Sequence, residues 1–73
     1  MNYVEISFVV TPKEQGSELL IAELSELGFE SFVDSEEGFN AYIPQEAYTK
    51  ETVTQLCSDY SGIFKMQFNE KII

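Results

Sequence analysis

Histidine and arginine are missing from this chain, cysteine occurs once, and no apolar run approaches the roughly 20 residues that span a bilayer. Without histidine, and with its single thiol, Cys57, on the apolar stripe of a predicted helix, the chain offers little to a transition metal or to nucleophilic catalysis. Without arginine, and with four basic against thirteen acidic residues for a net charge of −9, it is a poor partner for nucleic acid or anionic membrane. Binding to phosphate depends on clustered lysine and arginine. A lone cysteine cannot close an internal disulfide, and the N-terminus lacks the basic-then-apolar order of a signal peptide, so a cytoplasmic location is expected. Neither a glycine-rich phosphate loop nor a dinucleotide fingerprint occurs. An enzyme confined to these 73 residues is not expected.

What the chain does have is apolar mass and acid. Hydrophobic residues make up 44%, including six Phe and four Tyr, enough to fill the core of one small domain spanning 1–73. The acid is unevenly spread. Between Lys13 and Lys50 there is no basic residue, whereas Glu14, Glu18, Glu23, Glu26, Glu30, Asp34, Glu36, Glu37 and Glu46 all fall there. Such a block serves solubility in many proteins, and it also steers oppositely charged partners, so a basic protein is the partner class it favours.

Alternation over Tyr3–Val10 predicts a strand with Val4, Ile6, Phe8 and Val10 toward the core. Thr11-Pro12-Lys13-Glu14 offers a capping hydroxyl, a proline at the first turn and a glutamate three residues after the threonine, so a helix begins near here. Leu20, Ile21, Leu24 and Leu27 share one stripe that should face the sheet, and Gly28 ends the helix with Phe29 folding back on its last turn. Phe29–Ser35 is a second strand, Glu36-Glu37-Gly38 a hairpin turn with Gly38 free to take positive φ, and Phe39–Ile43 a third strand stopped by Pro44. Thr49 caps a second helix with Val53, Leu56, Cys57 and Tyr60 at i, i+3, i+4, i+7, and Gly62 ends it. The last strand begins at Ile63 and runs to Phe68 or a little beyond, with Phe64, Met66 and Phe68 inward. The order βαββαβ predicts an α+β, ferredoxin-like sandwich: a four-stranded antiparallel sheet, both helices on one face, the first and third strands central. For the second strand both facings are open; Val33 inward is favoured, because the alternative set Glu30/Phe32/Asp34 buries two carboxylates.

Asp34, Glu36 and Glu37 lack the spacing of a calcium loop and read as a solvated turn. Tyr3, Phe32 and Tyr42 are candidates for the open sheet face, where related topologies stack RNA bases, but the acid excess and missing arginine oppose that use. Leu19 stands apart from the core stripe, on the side of Ala22, Glu23 and Glu26. It is either an exposed apolar contact among carboxylates or packed on the last strand or Ile72-Ile73.

The segments Glu23-Leu24-Ser25-Glu26-Leu27-Gly28-Phe29-Glu30-Ser31-Phe32-Val33, Glu36-Glu37-Gly38 and Ala41-Tyr42-Ile43-Pro44, with the opening Asn2-Tyr3-Val4-Glu5-Ile6-Ser7-Phe8, resemble the N-terminal domain of the ribosomal protein L-eleven methyltransferase (PrmA) family in its Bacteroidetes-type form. The resemblance implies a ferredoxin-like domain that recognises a basic ribosomal large-subunit protein. In the family that domain is joined to a catalytic domain that binds S-adenosylmethionine and methylates amino groups. It also implies that this chain is a fragment of such a two-domain protein, without catalytic, cofactor-binding or metal-binding residues of its own. Contact residues for the target are then expected among Leu19, Glu23, Glu26, Glu30, Phe32, Asp34 and Tyr42. A small-ligand regulatory or protein-interaction domain of the same topology is the alternative.

Overall fold

The chain, described over residues 2–73 by a computed structural model, runs in the order β1 (Tyr3–Thr11), α1 (Lys13–Glu26), β2 (Ser31–Asp34), β3 (Gly38–Pro44), a 3-10 turn (Gln45–Ala47), α2 (Lys50–Asp59) and β4 (Lys65–Ile72). The strands form one antiparallel sheet, β2-β3-β1-β4. This is the α+β, ferredoxin-like βαββαβ arrangement expected, with β1 and β3 central and the hairpin of β2 and β3 supplying one edge.

Period-two alternation in β1 places Val4, Ile6, Phe8 and Val10 in a single core with Phe39, Ala41 and Ile43 of β3. Leu20 and Leu24 of α1 and Val53 and Leu56 of α2 close over the same core, so both helices cover one face of the sheet. Phe8 stacks on Phe39 at 4.8 Å between ring centroids and meets Phe68 at 5.9 Å, joining the three strands β3, β1 and β4 through aromatic contact. The opposite face, open to solvent, carries Tyr3, Glu5, Ser7 and Val9 beside Asn40 and Tyr42.

Several local expectations are corrected. Thr11 is not the cap of α1: it is the last residue of β1, paired with Lys65, and Pro12 occupies the cap position without a side-chain hydrogen bond. Leu27 leaves the core stripe and is 37% exposed. The reason is the helix end itself. Gly28, at φ 100°, turns the chain so that its N–H reaches the Ser25 carbonyl while the Phe29 N–H reaches that of Leu24 at 3.2 Å. Phe29 then fills the core beside Leu24, leaving Leu27 on the rim.

Gly38 does not take positive φ. It is needed because it crosses β1 opposite Val9, where a Cβ would run into the Phe8 carbonyl. Val33 faces solvent and Phe32 packs on the core, 6.2 Å from Phe39, the reverse of the favoured facing. Strand β2 is only four residues long and lies at the sheet edge, so Glu30, just before it, and Asp34, its last residue, remain exposed although Phe32 turns inward. Helix α2 ends at Asp59, before Gly62, and the Tyr60 carbonyl accepts from the N–H groups of Ile63 and Phe64. Ile63 is outside the last strand, which continues instead to Ile72 opposite Val4.

Candidate protein-docking surface

Two helical spacings build a groove. On α1 and its cap, Glu23, Glu26 and Leu27 stand at i, i+3 and i+4; on α2, Glu51, Gln55 and Asp59 stand at i, i+4 and i+8. Each set occupies one side of its helix, and the two sides face each other across a cleft completed by Thr52 and Leu56. Gln55 Nε2 donates to Asp59 Oδ1 at 2.8 Å. Leu27 supplies exposed apolar surface among four carboxylates, beside the buried Leu56.

Three of these carboxylates sit where an isolated helix would rather hold cations; Glu51 alone stands in a first turn, where negative charge is favourable. The last turn of α1 contains Glu23 and Glu26 and no basic residue; the last turn of α2 contains Asp59 and no basic residue. Free carbonyls make the C-terminal end of a helix negative, so each acid there opposes the helix by about 0.3–1 kcal/mol when exposed. Among the described residues, the two ion pairs lie elsewhere: Lys13 Nζ to Asp34 Oδ2 at 3.2 Å, and Lys50 Nζ to Glu70 Oε1 at 3.8 Å.

The seven residues singled out from the sequence do not form one patch. Glu23 and Glu26 line the interhelical groove. Leu19, one turn earlier on α1, is half-buried and outside that lining. Glu30 and Tyr42 belong to a shallow depression on the open sheet side, together with Tyr3, Ser31 and Ile73. There the Tyr3 hydroxyl donates to Glu30 Oε1 at 2.6 Å and the Tyr42 hydroxyl to Glu5 Oε2 at 2.7 Å. Those hydrogen bonds are the main reason both phenols titrate above the ordinary tyrosine value. Phe32 lies on the helix-covered side, and Asp34 is paired with Lys13 at the sheet edge.

Glu51 and Asp59 went unnoticed in the sequence because the acid block was bounded at Lys50. The four-residue spacing Glu51, Gln55, Asp59 on the polar side of α2 was the signal for them. Elsewhere, the Tyr48 hydroxyl donates to Glu70, tying the segment before α2 to β4; burial, then that hydrogen bond, pushes the phenol up. Cys57 packs on the core, and burial raises its thiol. Among the described residues no helix is long and apolar enough to cross a membrane, and no three acidic or thiol side chains converge as metal ligands.

Comparison with known proteins supports the resemblance seen in the hairpin segments. The chain is 46% identical over 54 residues to Ribosomal protein L11 methyltransferase of Bacteroides fragilis, a match covering 73% of this chain and 19% of that protein. It is 39% identical over 61 residues to the protein of the same name from Bacteroides thetaiotaomicron, and 34% over 61 residues to that from Phocaeicola vulgatus. Each of these two matches covers 82% of this chain and 22% of the relative. The chain therefore spans about a fifth of the length of the curated relatives it matches. No family model and no solved structure matches it.

Proposed function

From this kinship with one-fifth of a ribosomal protein L11 methyltransferase, we propose that the chain is the N-terminal substrate-recognition domain of such an enzyme. In this reading residues 1–73 are one domain of a two-domain cytoplasmic protein. They dock a basic ribosomal protein of the large subunit so that a catalytic domain outside these residues can methylate it. The carrying observation is the match to enzymes named for a ribosomal protein; the net charge of −9 is consistent with it. Docking one part of the target lowers the entropic barrier to placing an amine at a distant methyl donor.

The donor in that reading, S-adenosylmethionine, would be held by the catalytic domain outside these residues. Three of the four glycines have structural roles, Gly16 buried inside α1, Gly28 capping it and Gly38 crossing β1, while Gly62 lies in the turn after α2. Only Pro12 separates β1 from α1, so no glycine-rich turn joins a strand to a helix N-terminus there. In this reading the domain's part is recognition and positioning.

Calorimetric titration of the chain with purified ribosomal protein L11 tests this. Binding that weakens as salt rises from low to physiological ionic strength is expected, since screening reduces attraction between surface charges. Absence of heat and of complex at low salt would overturn the proposal.

A further inference from the structure

We propose that the basic target seats in the groove between α1 and α2. The occupant is a segment presenting two or more lysine or arginine side chains around one apolar side chain. This rests on the recognition role proposed above and narrows it to one face of the fold.

Three observations converge on that face. The groove pairs the exposed side chain of Leu27, beside the buried Leu56, with the carboxylates of Glu23, Glu26, Glu51 and Asp59, and so matches a cationic, partly apolar segment in both respects. Three of its acids, Glu23, Glu26 and Asp59, oppose the helix ends on which they stand, whereas Glu51 lies in the favourable first turn of α2; no lysine of the described residues forms an ion pair with any of the four. An arriving cation would relieve that repulsion and gain attraction, whereas in the free domain only solvent and the neutral Gln55 amide, bonded to Asp59, offset it. Leu27 is also turned outward by the Gly28 cap instead of joining Leu20 and Leu24 in the core.

The open sheet side is a weaker match for a cation. Its Glu5 and Glu30 already accept hydrogen bonds from Tyr42 and Tyr3, and Lys71 stands opposite Glu5 in the β1–β4 register. A second copy of the chain is a poor occupant of the groove, because it would bring the same carboxylates and another net charge of −9.

The test compares two charge-matched double variants in titrations with purified ribosomal protein L11. Glu23→Gln with Glu51→Gln removes two charges from the groove; Glu14→Gln with Glu18→Gln removes two from α1 outside it. Thermal melts verify that both variants are folded. The groove pair is expected to raise Kd roughly three- to tenfold, and the control pair less than about twofold, the scale of partly exposed ion pairs. Leu27→Ala should weaken binding as well. Equal losses from both pairs would overturn the groove assignment while leaving the recognition role standing. If the unaltered chain does not bind, both fail. A dimer in sedimentation that the groove pair dissociates would likewise overturn the assignment.

Discussion

Phe29 donates its backbone N–H to the carbonyl of Leu24, and the two side chains lie together in the core while Leu27, between them in sequence, is expelled to the rim of the interhelical groove. One glycine makes that exchange, because Gly28 holds φ at 100°. Gly28→Ala should destabilise the chain by about 1–2 kcal/mol, the strain of an L-residue in the left-handed region. In a domain of this size that lowers the melting temperature by several degrees. A thermal melt that does not move would contradict the cap as described.

Phe32 and Val33 provide an internal comparison on one strand. Phe32 packs on the core against Phe39, and Val33 is 53% exposed. Phe32→Ala should lose about 2–3 kcal/mol, below the range for a fully buried phenylalanine. Val33→Ala should fall within about 0.5 kcal/mol of the parent. Urea titrations of the two variants check this, and the opposite ranking would restore the facing favoured by the sequence.

That pair also shows where sequence reading stops. Strand β1 was legible because four alternating apolar residues left one choice of face, and the topology followed from element order. The facing of β2 was misjudged through the premise that turning Phe32 inward must bury Glu30 and Asp34. At a sheet edge only four residues long, both carboxylates stay exposed: one accepts from Tyr3 and the other pairs with Lys13. The acidity of α1 could be read from its residues. The groove could not, since it exists only when α1 and α2 lie side by side, and its exposed apolar side chain is Leu27, which the helical stripe assigns to the core.

Glu26 should trade stability against binding. It stands in the last turn of α1, where negative charge opposes the helix. Glu26→Gln is expected to stabilise the free chain by about 0.3–0.5 kcal/mol and to weaken its affinity for ribosomal protein L11. Denaturation midpoints and titration isotherms on the same preparation measure both effects. A variant both less stable and unimpaired in binding would go against the account.

Alkaline pH should loosen the fold through its tyrosines. Tyr48 is raised by burial and by its hydrogen bond to Glu70, and Tyr3 and Tyr42 by their bonds to Glu30 and Glu5. A raised phenol holds its proton more tightly in the folded chain than in the unfolded one. Its contribution is complete below the ordinary tyrosine value of about 10 and declines as pH rises beyond it. Urea midpoints measured across that range should fall, and fall less in Tyr48→Phe; a variant whose alkaline decline matches the parent would remove Tyr48 from this explanation.

The most direct measurement is an amide chemical-shift map of the labelled chain titrated with purified ribosomal protein L11. The account predicts shifts concentrated at Glu23–Leu27 and along Glu51–Asp59, fading as salt is added, with the sheet residues Tyr3, Glu5 and Tyr42 little changed. Shifts centred on that sheet face with α1 and α2 unperturbed, or no shifts at low salt, would contradict it.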